Sequence, residues 1–204
     1  MELLAALALF CVVTLFTPGP NNLMLMTSGL NFGFRRGMPH LLGVTLGFAA
    51  MVLIVGLGLG AIFEKWPLLY TVLKYAGAAY LLYLAWQIAV SPPPTPGNES
   101  TGRPIGFLQA VAFQWVNPKA WVMAVGAIST YAAVAAFPVN VMIIAALFGV
   151  LGLASSGTWL GFGAALQPIL KDRRAVRAFN IVMALLLVAS LYPILADSLP
   201  RRDP

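Results

Sequence analysis

Charged residues are scarce in this chain: they make up 9% of its 204 residues, whereas 60% are hydrophobic. A soluble domain is about a quarter charged, so this scarcity excludes an ordinary soluble fold. Several apolar runs exceed about 18 residues, long enough to cross the hydrocarbon core of a bilayer as a helix. The composition therefore predicts an all-α integral membrane protein.

Cysteine and histidine occur once each, as Cys11 and His40. A single cysteine excludes an intrachain disulfide and any cysteine-built metal site. His40 falls in a connector region, and every acid lies in a connector or at a terminus: Glu2, Glu64, Glu99, Asp172, Asp197 and Asp203. Paired acids, metal ligands or a nucleophile–base pair at membrane depth are therefore missing. We expect no metal, no cofactor and no enzymatic activity.

The net charge of +6 comes from short cationic clusters between apolar runs. This distribution favours contact with anionic lipid headgroups over nucleic acid, which would need a basic stripe interleaved with aromatics. The N-terminal run lacks a basic start and a small-residue cleavage site, so we expect it to remain as a span. The expected partners are the lipid bilayer and a small molecule, and the oligomeric state stays open, a homo-oligomer included.

Six apolar runs predict six spans, at about 3–30, 39–62, 68–90, 106–134, 139–168 and 176–196. A Pro/Gly/Ser-rich linker, 91–105, separates halves at about 1–90 and 106–196 within one transmembrane domain, 1–204. Three spans per half make the second half enter from the opposite side, as a 3+3 inverted repeat.

The excess of Lys and Arg follows the first, third and fifth spans, which places those connectors in the cytoplasm and both termini outside. Arg201 and Arg202 at the C-terminus argue against this orientation, and a five-span alternative would move that terminus inside.

Two of these spans carry a break in matching positions. The first contains Pro18-Gly19-Pro20-Asn21-Asn22, and the fourth contains Asn117-Pro118-Lys119. Proline in a helix interior removes a hydrogen bond and costs about 3 kcal/mol or more. In lipid, such a break is tolerated only against protein or a wet cavity. Corresponding interrupted spans in two halves are typical of secondary-transporter sites.

The chemistry at these breaks suits a carboxylate. Helices beginning at Pro20 and Pro118 present free N–H groups and a positive dipole end. Asn117 lies about 16 Å into its span at 1.5 Å per residue, close to the midplane, and Lys119 beside it either holds a carboxylate or stays neutral. We therefore predict a substrate site built from the eight residues Pro18, Gly19, Pro20, Asn21, Asn22, Asn117, Pro118 and Lys119. The alternative is that the prolines are packing kinks and Lys119 lies nearer the interface.

These motifs resemble the LysE/RhtB family of amino-acid exporters. The resemblance rests on Pro18-Gly19-Pro20-Asn21, the glycines at 29, 33, 37, 43 and 47, Gly77-Ala-Ala-Tyr80-Leu81, and Asn117-Pro118-Lys119-Ala120. It covers most of the first 125 residues; the rest matches in hydropathy and length. It implies ion-gradient-driven export of amino acids or close derivatives across the bacterial inner membrane.

One departure from that family concerns position 21, where many members carry an acid and this chain has Asn21. Without an acid inside the membrane, a proton relay through carboxylates is missing, and a dicationic substrate would lack a partner. A neutral amino acid is therefore the expected substrate. A channel and a non-transporting assembly protein remain the alternatives.

Two smaller features have structural interpretations. We expect the Gly29–Gly33–Gly37 spacing to serve close helix packing. For Ser155, Ser156 and Thr158, a cavity lining is weighed against the commoner hydrogen bond to their own helix backbone.

Overall fold

The computed structural model describes residues 1–59, 67–91, 102–170 and 172–192. These residues form seven α-helices and no strand. The helices are α1 (Glu2–Phe16), α2 (Pro20–Ile54), α3 (Pro67–Ala89), α4 (Phe107–Val116), α5 (Pro118–Thr130), α6 (Val139–Leu166) and α7 (Arg173–Ala189). The expectation of an all-α protein is confirmed.

Both predicted breaks are present. The chain leaves helical geometry between Phe16 and Pro20, and α2 begins with Pro20 at its first position. In the second half, Asn117 has extended backbone angles and separates α4 from α5, which begins at Pro118. Proline suits a first helical position because its missing N–H would have no intrahelical partner there.

The connector predicted between the first two spans is helical, with a sharp bend at Gly33. Its backbone angles, φ 74° and ψ 171°, lie in a region that is essentially restricted to glycine. Residues 20–32 and 34–54 are therefore two helical segments that meet at Gly33 within α2. Gly33 makes a corner, whereas we expected it to serve packing.

The ends of the other helices can be compared with the predicted spans. The third and fifth predicted spans, 68–90 and 139–168, agree with α3 and α6 to within two residues. Gly56 and Gly58 lie in a π-helical turn, Val55–Leu59, where Gly58 has φ 129°, so the regular α-helix ends before them. Gly60, most of the linker, Lys171 and the chain beyond residue 192 lie outside the described residues.

Glycines allow the helices of the core to touch through their backbones. A Cβ built on Gly29 would lie 2.1 Å from the Leu160 carbonyl oxygen, and one on Gly163 would lie 1.9 Å from that of Met26. Gly43 approaches the Phe107 carbonyl oxygen in the same way. α2 is thus held closely against α6 and α4, and the packing role predicted for Gly29 is confirmed.

In the described structure many polar side chains lie inside and large apolar side chains lie outside, the reverse of a soluble protein. Asparagine, glutamine, serine, threonine and histidine side chains are buried, at Asn22, Asn31, His40, Gln114, Asn117, Ser155, Ser156 and Asn180 among others. Large apolar side chains cover the outside, including Leu108, Val122, Val150 and Leu185. Such an apolar exterior suits contact with lipid.

Helix length and composition agree with this. Among the described residues, Pro20–Gly58 and Val139–Leu166 are long and apolar enough to cross a membrane. The shorter apolar helices Glu2–Phe16 and Phe107–Val116 each precede one of the breaks. His40 corrects our sequence interpretation, because it lies inside α2 and is completely buried.

Candidate functional site

The two breaks meet at one cavity, called the central cavity because residues of both halves line it. This cavity has a volume of about 40 Å³ and is lined by α1, α2, α5 and α6. Of the eight predicted site residues, five line it: Gly19, Asn21, Asn22, Asn117 and Lys119. Pro18, Pro20 and Pro118 belong to the breaks but are not among the lining residues. The structure therefore brings the two halves of the predicted site together.

The carbonyl groups at the end of α1 are satisfied by side chains from other elements. Asn22 Nδ2 donates to the carbonyl oxygens of Leu15 (2.9 Å) and Thr17 (3.0 Å). Ser155 Oγ on α6 also donates to the Leu15 oxygen, at 2.9 Å. Because carbonyl groups left unpaired at a helix break are costly in an apolar environment, these donors stabilise the break. Asn22 and Ser155 thus have a structural role as well as a place in the cavity wall.

Lys119 joins the second break to the first. Its Nζ donates to the Thr17 carbonyl oxygen, and its aliphatic stem packs over Gly19. A Cβ on Gly19 would lie 2.8 Å from Lys119 Cδ, so any larger residue there would displace the lysine. No acid of the described residues pairs with this ammonium group. Lys119 therefore brings a positive charge to the cavity with a neutral oxygen as its partner.

The two helix N-termini at the site differ. No side chain caps α2, whose N-cap residue is Gly19, so its first amides remain open at the cavity. At α5, Asn117 Oδ1 accepts a hydrogen bond from the Lys119 backbone N–H at 3.2 Å. Our expectation of two equally free helix ends therefore holds for α2, whereas the end of α5 is partly occupied by its own cap.

Asn21 forms a reciprocal amide pair with Gln114, a residue that sequence reasoning passed over. Asn21 Nδ2 donates to Gln114 Oε1 at 2.9 Å, and Gln114 Nε2 donates to Asn21 Oδ1 at 3.1 Å. Gln114 is completely buried in α4. The available signal was its polarity: besides Gln109, it is the only amide in the apolar run Phe107–Val116.

The serines of α6 correct another interpretation. We weighed own-backbone hydrogen bonds as the commoner case, yet Ser155 bonds across to Leu15 and Ser156 accepts from Thr45 Oγ1 at 3.3 Å. Both serines line the cavity. Only Thr158 follows the commoner pattern, with its hydroxyl on the Ala154 carbonyl oxygen.

The cavity has room for a few water molecules, each of which needs roughly 10–15 Å³. Apolar side chains form part of its wall, among them Phe48 and Phe148, whose rings meet edge-on with centroids 5.0 Å apart. A molecule of amino-acid size would have to widen the cavity.

Comparison with known proteins decides the family. The family model described as "LysE type translocator" matches residues 12–190, nearly the whole chain. The chain belongs to the LysE type translocator family. The expected resemblance is thereby confirmed, and this LysE translocator is a membrane transport protein rather than a member of an enzyme family.

Curated relatives of this LysE translocator carry a specific name. Proteins called "Cysteine/O-acetylserine efflux protein" from Escherichia coli (strain K12), Shigella sonnei (strain Ss046) and Shigella flexneri are each 35% identical to it over 192 residues. The match covers 91% of this chain and 94% of each relative. No solved structure matches the chain.

Proposed function

We propose that this LysE translocator is a secondary transporter that exports neutral amino acids or close derivatives across the bacterial inner membrane. The observation that carries the proposal is the combination at the central cavity of an ammonium group, Lys119, with the open N-terminus of α2. Both favour an anion, and a substrate carboxylate is the natural one. No acid is among the described lining residues.

The rest of the lining suits a small zwitterion with a neutral side chain. Amide and hydroxyl oxygens of Asn21, Thr45, Ser155 and Ser156 can accept from the substrate ammonium group. A second positive charge would have no carboxylate to pair with, which disfavours lysine and arginine. Cysteine and O-acetylserine, named for the relatives, have neutral side chains and meet this requirement.

The architecture we propose for transport is a 3+3 inverted repeat of six spans, with halves at about 1–90 and 106–196 joined by the linker 91–105 in one domain. The first span is α1 with residues 20–32, and the fourth is α4 with α5. Residues 34–54, α3, α6 and α7 supply the other four. Both interrupted spans belong to corresponding positions, which is the arrangement expected of such transporters.

The helix contacts support this relation. A two-fold axis between the halves would relate α1 to α4 and residues 34–54 of α2 to α6. The contact of α4 with α2 would then correspond to the contact of α1 with α6, and both pairs of helices are in contact. It would also exchange residue pairs that lie near its axis. Phe48 on the second span and Phe148 on the fifth, which meet at the cavity, fit that position.

Transport by this architecture requires the cavity to open alternately to the two sides of the membrane. Substrate carboxylate would compete with the Thr17 carbonyl for Lys119, which loosens the link between the two breaks. Binding at the site is thereby connected to the contact that holds the interrupted spans together.

The test is export from cells preloaded with cysteine, O-acetylserine or lysine. Wild type should export the first two and not lysine. Asn21→Ala and Lys119→Ala should lower export at subsaturating substrate by about tenfold or more, because a hydrogen bond to a charged group contributes roughly 1.5–3 kcal/mol.

A matched pair on α6 controls for general damage. Ser155→Ala removes a hydroxyl from the cavity wall and should impair export, whereas Thr158→Ala removes an exposed one that bonds its own backbone. Full export by both Asn21→Ala and Lys119→Ala would show that the site is elsewhere. Absence of any amino-acid export by wild type would refute the proposed function.

A further inference from the structure

Three helices each give the central cavity one polar and one apolar side chain on the same face. α2 contributes Thr45 and Phe48, α5 contributes Lys119 and Met123, and α6 contributes Phe148 and Ser156. The members of these pairs are three, four and eight positions apart, and residues at such spacings share a face of a helix. The question is whether the three apolar side chains lie at one end of the cavity.

On α2 and α6 the apolar residues lie at the same end. Thr45 Oγ1 donates to Ser156 Oγ at 3.3 Å, so the polar residues of the two helices meet. Phe48 meets Phe148, with ring centroids 5.0 Å apart. The two helices therefore run antiparallel here, and both change from polar to apolar in the same direction.

Met123 on α5 belongs to this apolar end as well. A Cβ built on Gly126 would lie 3.9 Å from Phe10 Cζ, and the Phe10 ring meets that of Phe148 with centroids 6.5 Å apart. The later residues of α5 thus approach Phe148, which places Met123 on that side of Lys119. Met123 also packs in the same buried cluster as the aromatic residues.

The two ends of the cavity differ in how far their surroundings can give way. Beyond the polar end, α2 and α6 touch through their backbones, and a Cβ on Gly163 would lie 1.9 Å from the Met26 carbonyl oxygen. At the apolar end, a Cβ on Gly149 would lie 3.6 Å from the Ala49 Cβ, an ordinary contact. The Met123 side chain is unbranched and fills space adaptably, whereas backbones in contact cannot rotate aside. An entering amino acid therefore finds room at the apolar end.

The polar end takes the two charged groups that all amino acids share. Lys119 and the open N-terminus of α2 suit the carboxylate, and the hydroxyl oxygens of Thr45 and Ser156 can accept from the ammonium group. With both charged groups held there, the substituent on the substrate Cα points toward the apolar end.

We propose that Phe48, Met123 and Phe148 form the side-chain subsite of this exporter. The subsite receives a small apolar substrate side chain and sets the upper limit of its size. This inference rests on the proposed export function, and it names the residues that select among neutral amino acids.

The chemistry of the subsite separates closely related substrates. The methyl end of O-acetylserine and the thiol of cysteine tolerate an apolar wall, whereas the serine hydroxyl loses its water without gaining a partner. Burying an unpaired hydroxyl in a protein costs enough to lower the transport efficiency, kcat/KM, of serine at least about fivefold relative to cysteine. Leucine is apolar but branched, and two aromatic rings limit the room for it.

The experiment measures kcat/KM for labelled O-acetylserine, cysteine, serine and leucine with purified protein in liposomes. In wild type, leucine should be transported at least about tenfold less efficiently than O-acetylserine. Met123→Ala and Phe148→Leu should each raise the ratio of leucine to O-acetylserine at least about tenfold, because one methylene group in an apolar pocket changes discrimination by about 10–200-fold. A gain for the larger substrate is a result that general damage to the fold does not produce.

Phe162→Ala is the matched control, since this phenylalanine of α6 is exposed on the outside and should leave the ratio unchanged. An unchanged ratio in both Met123→Ala and Phe148→Leu overturns the proposal, and so does an equal loss of all four substrates in both variants. Leucine transport by wild type as efficient as that of O-acetylserine overturns it too. A wild type that transports no amino acid would instead refute the export function.

Discussion

Polar side chains at the central cavity satisfy the backbone first and leave a limited set of groups for a ligand. Asn22 and Ser155 are committed to the carbonyls of Leu15 and Thr17. Lys119 keeps further donors beyond the one it gives to Thr17. Lys119 and Ser155 therefore hold the break and keep capacity for a substrate, because the ammonium group has further donors and the hydroxyl oxygen can still accept.

We expect the reciprocal amide pair of Asn21 and Gln114 to contribute to stability. Asn21→Ala and Gln114→Ala should each lower the free energy of unfolding by about 1–3 kcal/mol, because each removes both hydrogen bonds of the pair. The double variant should lose less than the sum of the two. Thermal unfolding in detergent measures all three.

Gln87→Ala is the control for this cycle, since that amide bonds Tyr83 in an exposed position and should change stability by less than about 0.5 kcal/mol. Strictly additive losses for Asn21 and Gln114 would contradict the pair.

The contact between α2 and α6 is close because their backbones touch at glycines. At Gly163 and Gly29 the atoms in the way of a Cβ are backbone atoms of the opposite helix, which cannot rotate aside as a side chain can. The contact of α2 with α6 therefore sets how near the two breaks and the serines of α6 lie to one another.

Gly163→Ala tests this contact. Because a methyl group would overlap the Met26 carbonyl, α6 must move away from α2, and we expect a loss of about 1–3 kcal/mol or more with a lower melting temperature. Gly157→Ala on the same helix should leave the melting temperature unchanged, since the nearest atom to its Cβ is Leu41 Cδ1 at 4.0 Å. Equal melting temperatures for both variants would show that the contact is looser than the structure has it.

We propose that the chain crosses the membrane six times and that the linker 91–105 lies in the cytoplasm. Single cysteines on a Cys11→Ala background test this. Phe34→Cys and Gly102→Cys should react with a membrane-impermeant maleimide only from the cytoplasm, and Ala136→Cys only from outside. The reason is that an odd number of spans separates position 136 from the other two.

These three positions carry no charge, so the substitutions preserve the Lys and Arg bias that sets orientation. Labelling of Gly102→Cys from outside would reverse the orientation. Labelling of Phe34→Cys and Gly102→Cys from opposite sides would refute the three-span halves.

Hydropathy and proline positions determined much of this protein from sequence alone. The apolar runs predicted the bounds of α3 and α6 closely. Pro20 and Pro118 predicted where two helices begin, because proline has no N–H to donate within a helix, and this holds in any tertiary structure. The same local reasoning identified Asn21, Asn117 and Lys119, since polar residues are conspicuous inside apolar spans.

Only the tertiary structure decided which groups meet. Gln114 is 93 positions from Asn21 and Ser155 is 140 positions from Leu15, so neither partner follows from the local pattern. The corner at Gly33 and the burial of His40 likewise do not follow from the local pattern. They accompany the packing of α6 against residues 20–32 and of α4 against residues 34–54 of α2. Hydropathy specifies which segments enter the membrane, whereas hydrogen-bond satisfaction between distant segments specifies what they enclose.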